Sequence, residues 1–239
     1  SKTEDGKFNQ FDKGEKLGCG GYGIVYKATD RHNGKYYAIK SCDLTNLGDK
    51  EKFYVLQETV HLIKVASDYV VEYNYSWFQQ NCLYFQMELC WGSLSDFLET
   101  KMNVFGRLQG QLMTDIELYI SYEIFRELIE CLEYLHQEQI IHRDLKPANV
   151  LITKTGISYT KNGTKNRRFV KICDFGLSKG FYEYRLAGDK QTPDKGTVGP
   201  YMAPEAIQDD YNHKIDIYSL AMIGADIFEI DKDNLQNFR

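Results

Sequence analysis

The chain of 239 residues lacks several features, and each absence excludes a class of protein. No apolar run approaches the roughly 20 residues of a membrane-spanning helix, and no signal-peptide pattern opens the sequence. The six cysteines (Cys19, Cys42, Cys82, Cys90, Cys131, Cys173) form no C-x-x-C pair and have no histidine cluster nearby. That spacing argues against a zinc site and against a disulfide framework, and reads as buried thiols of a reducing compartment. Neither sign of charge dominates: 29 basic against 34 acidic residues leave −5, too mild to imply direct nucleic-acid or membrane binding. Internal repeats and low-complexity linkers are also missing. What is present is 43% hydrophobic and 14% aromatic residues, the make-up of a packed globular protein of one large domain or two lobes. The sequence opens on Ser1 rather than Met, so residues before it are expected.

Strand-like runs come first. Phe11–Leu17, Ile24–Thr29 and Lys35–Lys40 read as an antiparallel meander, with Asn33-Gly34 as the turn between the last two. Residues 49–65 switch to helical spacing, with Phe53, Leu56, Val60 and Ile63 on one face. Val70–Phe78 and Leu83–Leu89 return to strand character. From Ser93 onward helices dominate. Thr114-x-x-Glu117 reads as a capping box that opens a long amphipathic helix through His136. Its stripe is Ile116, Ile120, Ile124, Leu128 and Leu132, widened by Phe125, Ile129 and Leu135. Val150–Ile152 and Phe169–Ile172 read as a hairpin joined by a basic connection, residues 157–168, in which Asn162-Gly163 makes a turn. Residues 215–230 are apolar almost all round and predict a buried helix.

Three strings carry chemistry. Gly18-Cys19-Gly20-Gly21-Tyr22-Gly23 is a G-x-G-x-x-G between two strands rather than between a strand and a helix, which disfavours a dinucleotide site. Its glycines allow backbone N–H groups to approach phosphates. Residues 142–149 read H-R-D-L-K-P-A-N, and Asp174-Phe175-Gly176 follows. Asp144 is a candidate base for an attacking hydroxyl, and Lys146 a neutraliser of charge on a transferring phosphoryl group. Asn149 and Asp174 are candidate ligands for magnesium. Any one string is weak; the three in this order are specific.

With Tyr37-Ala38-Ile39-Lys40 and Met202-Ala203-Pro204-Glu205, these strings resemble the eukaryotic protein kinase family over about residues 11–230. The resemblance implies an α+β, two-lobed fold: a small β-rich N-lobe with one main helix (11–89) and a mainly helical C-lobe (90–239). Residues 1–239 would form one kinase domain. It also implies ATP with Mg2+ between the lobes and a protein substrate. Lys40 would contact the α- and β-phosphates and pair with Glu58, which lies 18 residues on. Leu17, Gly18, Gly20, Gly21, Gly23, Val25 and Ala38 would cover the nucleotide, and Leu151 would lie beneath the adenine. Glu88 and Cys90 would hydrogen-bond the adenine through backbone groups, with Met87 guarding the back pocket. Leu62, Tyr73, His142 and Phe175 would stack in one column. Arg143 would receive a phosphate on a segment that holds Ser178, Tyr182, Tyr184, Thr192 and Thr197. Thr192 would be the regulatory phosphate, and Thr197 mainly structural.

Within the family, Tyr75-Ser76-Trp77 and Leu83-Tyr84-Phe85-Gln86-Met87-Glu88-Leu89-Cys90 are similar to kinases of the translation initiation factor 2 alpha subunit. That implies a serine/threonine enzyme, a homodimer, and a cytoplasmic or nuclear setting. Wee-type cell-cycle kinases are the alternative, and a nucleotide-binding pseudokinase or scaffold is the competing class. Several residues depart from the pattern: an extra residue in Gly196–Tyr201, Ala221 where glycine is usual, and a chain that stops before the family's last three large-lobe helices. From that ending the C-lobe is expected to be incomplete. Several of Met222, Ile223, Ile227, Phe228 and Ile230 would then face water, and the isolated chain would be a poor enzyme.

Overall fold

The computed structural model describes residues 10–20, 23–108, 110–153, 158–159, 165–166, 168–180, 199–207 and 211–232. Its first part is one antiparallel sheet in the order β1-β2-β3-β5-β4, built from β1 (Phe11–Gly20), β2 (Gly23–Asp30), β3 (Tyr36–Asp43), β4 (Tyr73–Gln79) and β5 (Cys82–Glu88). The expected Asn33-Gly34 turn joins β2 to β3. Gly34 sits at φ +68°, a conformation that costs glycine nothing, and the Asp30 carboxylate accepts from the His32 N–H at 2.8 Å. The β4–β5 connection uses Gln80 and Asn81, at φ +49° and +61°. Two left-handed residues in succession match the twist of a two-residue hairpin.

Helix α1 (Asp49–Lys64) crosses one face of the sheet. It buries Val55, Glu58, His61 and Leu62, with Val65 just beyond its end. The stripe that sets its helical period, Phe53, Leu56, Val60 and Ile63, faces solvent instead. On the opposite face of the sheet Phe11, Ile39 and Trp77 form a small core, with Tyr84 stacked on Trp77 at 5.2 Å.

The second part begins with β6 (Gly92–Ser93) and α2 (Leu94–Val104). Ser93 caps α2 with a reciprocal pair: its Oγ accepts from Asp96 N at 3.2 Å, while Asp96 accepts from Ser93 N at 2.7 Å. The long α3 (Asp115–Gln137) starts at Thr114, whose Oγ1 accepts from Glu117 N at 3.2 Å. Only half of the expected capping box forms. Glu117 is fully buried and grips Arg107 through two bonds of 2.9 Å, a stronger partner than a backbone N–H. Ile124, Leu128, Leu132 and Leu135 are the buried stripe of α3, while Ile116 and Ile129 lie exposed beside it.

Then come β7 (Ile140–Ile141), β8 (Val150–Ile152), β9 (Ser158–Tyr159), β10 (Lys165–Asn166), β11 (Val170–Ile172), β12 (Lys179–Gly180) and α4 (Lys214–Phe228). β8 and β11 pair antiparallel as expected, and β9 pairs with β10. The Asn162-Gly163 turn lies outside the described residues. Helix α4 corrects one expectation: Met222, Ile223 and Ile227 are buried, not turned to water. Ile223 and Ile227 join the main core, in which α4 lies close against α3. Gly224 makes that approach possible, since a Cβ there would stand 2.8 Å from the Phe125 ring. Ile217 and Ile230 are the exposed apolar residues of this region.

Candidate active site

The sheet and the helical part meet around one buried cation. Lys40, on β3, places its Nζ 2.7 and 2.8 Å from the two carboxylate oxygens of Glu58 on α1, and 3.0 Å from Oδ1 of Asp174. Glu58 is therefore the partner, as its position on the helix implied. Burial alone would drive the ammonium neutral. The facing Glu58 and Asp174 carboxylates outweigh it and hold Lys40 charged well above its ordinary range. Burial also opposes ionisation of Asp174, yet the Lys40 ammonium holds its carboxyl below the usual carboxylate range. For Glu58 burial prevails and the carboxyl is raised. Lys40 thus joins sheet, helix and the Asp174 segment at one point.

The loop after β7 supplies the second group. Lys146 Nζ lies 2.7 Å from Asp144 Oδ2, and Asn149 Nδ2 donates to Asp144 O (2.7 Å) and Oδ2 (3.0 Å). Asp144, Lys146 and Asn149 therefore form one cluster within six residues of chain. The neighbouring backbone is strained: Arg143 has φ +71° and Asp174 φ +64°, conformations that side-chain-bearing residues keep only when their surroundings hold them. For Arg143 the holder is Asp216, the fully buried residue near the start of α4. Its carboxylate accepts from His142 N and Arg143 N, both at 2.9 Å, and contacts His136 Nε2 at 2.9 Å. Sequence reasoning missed this role. The available signal was a carboxylate between two isoleucines of a mostly apolar helix, where an unpaired charge would be too costly to keep.

His142 adds a cross-link. Its Nε2 lies 3.0 Å from Cys173 O while its Nδ1 accepts from Asp144 N at 3.3 Å. A carbonyl can only accept, so Nε2 carries the proton. The His142 and Phe175 rings meet edge-on at 5.3 Å. Leu62, His142 and Phe175 are buried and Tyr73 half-buried against the same core, consistent with the expected column.

The residues expected to enclose a nucleotide fall mainly on the strands of the sheet and on β8. Val25 stands opposite Lys40 across β2–β3, and Ala38 opposite Met87 across β3–β5. Met87 is buried, Leu151 is half-buried on β8, and Leu17 is exposed on β1. Gly18 and Gly20 lie on β1 and Gly23 on β2, while Gly21 falls outside the described residues. The structure gives Gly23 a reason other than phosphate approach: a Cβ there would lie 2.6 Å from Ser41 O of β3. The side chain of Glu88 turns away from the cleft to Lys171 and accepts from Glu72 N at 2.8 Å. Its carbonyl and the backbone of Cys90 are the groups left to the hinge role. Of the expected phosphorylation positions, Tyr182, Tyr184, Thr192 and Thr197 lie outside the described residues. Ser178 is buried, with its Oγ 2.5 Å from His61 Nδ1.

Among the described residues no group of three or more His, Cys, Asp or Glu could hold a metal unaided. Asn149 and Asp174 suit an ion of a different kind. Asn149 spends its amide nitrogen on Asp144, which leaves its oxygen for a cation. One amide oxygen and one carboxylate are what a magnesium ion needs when nucleotide phosphates supply other ligands.

The fold and this site together define a class, and comparison with known proteins agrees. The sequence model of the family described as "Protein kinase domain" matches residues 11–232. The chain belongs to the protein kinase family. It is 34% identical over 91% of its length to the serine/threonine-protein kinase pakH of Dictyostelium discoideum. It is 30% identical over 94% to the interferon-induced, double-stranded RNA-activated protein kinase of Mus musculus. It is 31% identical over 91% to the probable serine/threonine-protein kinase zyg-1 of Caenorhabditis briggsae. The chain spans 37%, 41% and 26% of the lengths of these relatives.

Proposed function

We propose that the protein transfers the γ-phosphate of ATP to a serine or threonine hydroxyl of a protein, with the α subunit of translation initiation factor 2 as substrate. The observation that carries the transfer is the Lys40 bridge to Glu58 and Asp174 at 2.7–3.0 Å, formed beside a paired Asp144 and Lys146. In this reading Asp144 orients the acceptor hydroxyl and takes its proton. Lys146 stabilises charge on the phosphoryl oxygens, and Lys40, oriented by Glu58, holds the α- and β-phosphates. Most of the rate then comes from positioning and charge stabilisation. Asn149 and Asp174 would hold magnesium, which neutralises phosphate charge when bound. Glycine-loop backbone, Val25, Ala38 and Leu151 would enclose the nucleotide, with the Glu88 carbonyl and Cys90 backbone hydrogen-bonding adenine.

The substrate rests on narrower support: the Tyr75-Ser76-Trp77 and Leu83–Cys90 strings, and the similarity to the RNA-activated kinase of mouse. A homodimer, a cytoplasmic setting and activation by phosphate at Thr192 belong to the same reading. The test is transfer of labelled phosphate to the purified factor subunit, beside a generic basic protein, with Asp144→Asn as blank. Serine labelling of the subunit above the generic protein is expected. Labelling of the generic protein alone would reject the substrate and keep the kinase. Phosphotyrosine in the product would favour a Wee-type enzyme, and no transfer with intact ATP binding a pseudokinase.

A further inference from the structure

One turn of α1 carries two polar side chains into the core. Glu58 is followed three residues on by His61, and side chains at that spacing are neighbours on a helix surface. Both are buried, at 2% exposure. Glu58 reaches Asp174 through Lys40. His61 reaches the other end of the same short segment: its Nδ1 lies 2.5 Å from Oγ of Ser178, which is also buried. Ser178 directly precedes β12, the strand that pairs with β7 ahead of the Asp144 loop. One helical turn thus grips the stretch from Asp174 to Ser178 at both ends.

The direction of these hydrogen bonds follows from counting protons. A serine hydroxyl has one proton to donate. The Phe175 carbonyl can only accept, and it lies 2.7 Å from Ser178 Oγ and 3.0 Å from Ser178 N. The hydroxyl proton therefore points to Phe175 O, and Nδ1 of His61 carries the proton in its bond to Oγ. His61 Nδ1–H, Ser178 Oγ–H and Phe175 O form a relay that fixes the peptide plane after Phe175. Asp174, one residue earlier, holds φ +64°, a conformation that a side-chain-bearing residue keeps only when its surroundings determine it. Burying an imidazole and a hydroxyl is costly unless they are hydrogen-bonded; an aliphatic pair could fill the space without that cost. What the polar pair adds is direction. We propose that His61 is a positioning residue for phosphoryl transfer, which through Ser178 and Phe175 O keeps Asp174 turned toward Lys40 and the magnesium–nucleotide site. This role rests on the kinase reading of the site, whereas the relay itself is a property of the folded chain.

The test has a spectroscopic and a kinetic arm, both on the full 239-residue chain. Nitrogen-15 NMR of the histidine rings, with His61 assigned through His61→Asn, should show Nδ1 of His61 protonated. A bare Nδ1 overturns the relay whether or not the chain transfers phosphate. In the kinetic arm, His61→Leu and Ser178→Ala should each lower kcat by about ten- to a hundredfold, the scale at which misplacement of a reacting group is felt. KM for the protein acceptor should change little. His61→Asn keeps an N–H near the Nδ1 position and should recover most of the loss. His61→Leu combined with Ser178→Ala should be no slower than the worse single variant, because coupled positions are not additive. Melting curves close to the parent's would show that the variants fold. Should Ser178→Ala unfold, since it removes the acceptor of a buried N–H, the two substitutions of His61 decide. Parental kcat in His61→Leu, or a His61→Asn as slow as His61→Leu, reduces the pair to packing and overturns the proposal. A parent that binds ATP and transfers nothing would reject the kinase reading alone, and the NMR arm would still decide the relay.

Discussion

Two buried charge clusters, one in the cleft and one behind it, are built on different principles. In the cleft, Lys40 meets Glu58 and Asp174 through side chains alone. Behind the hinge, the charges of α3 and of the segment entering β11 are anchored in the backbone. Glu127 Oε2 accepts from Phe169 N at 2.7 Å and from Val170 N at 2.8 Å. Arg168 donates to Glu127 O at 3.1 Å, pairs with Glu130, and lies over the Tyr69 ring at 4.1 Å. Charges tied only to other side chains can exchange partners when a polyphosphate arrives. Charges tied to backbone groups fix the course of the chain. The first cluster is suited to respond to a ligand, whereas the second holds the β8–β11 hairpin on which Asp174 is mounted.

The sharpest break of this comparison is chemical. Asp144→Asn should lower turnover by about 10²–10⁴-fold, the usual contribution of a positioned base, while nucleotide affinity and melting temperature stay close to the parent. Turnover at parent level would remove Asp144 from the mechanism. Next comes the rear cluster. Glu127→Ala should cost about 1.5–3 kcal/mol for each of the two charge-assisted bonds it removes, read by denaturant unfolding. The protein that remains folded should keep its nucleotide affinity. A variant of parental stability but weakened ATP binding would reverse the roles assigned to the two clusters.

Within the cleft, Lys40→Arg and Glu58→Gln should each impair the same step, since the planar guanidinium does not reproduce the ammonium's contacts. The double variant should fall short of additivity by about 0.5–3 kcal/mol. Additive losses would mean that the pair does not act as a unit. The smallest effect is a reactivity difference. Cys131 lies against the rear cluster, 3.5 Å from both Arg168 Nη1 and Val170 O, and burial pushes its thiol up to about 12. Burial does the same to Cys42, also to about 12. Near pH 8 only about 10⁻⁴ of such a thiol is thiolate, the form that reacts. A thiol reagent should therefore modify the exposed Cys19 first, and Cys42 and Cys131 only on unfolding. Modification of Cys131 in the native protein would show that the rear cluster opens.

The cleft was legible because its residues come in strings whose spacing reflects local geometry. Glu58 could be chosen because the helix after β3 offers few glutamates at the right depth, and its pairing with Lys40 at 2.7 Å follows that choice. The rear cluster was not legible. Arg168 ends a segment that reads as a basic surface connection, yet its side chain is buried beneath Tyr69. Asp216 escaped for a similar reason: its partners, His142 N and Arg143 N, lie more than seventy residues earlier. The Thr114–Glu117 pattern was read locally, and a distant Arg107 claimed the glutamate instead.

By itself the sequence determined the order of strands and helices, the glycine-rich turn after β1 and the identity of the residues around Lys40, Asp144 and Asp174. Those properties depend on period, turn chemistry and short-range spacing, which a linear chain displays. Only the tertiary structure decided which face of α1 is covered, why Gly23 must lack a side chain, and what holds Arg143 at a positive φ. The physical reason is common to all three. Hydrophobic periodicity shows that a face is apolar but not what lies against it, and a buried charge reveals its partner only when the chain has folded the two together.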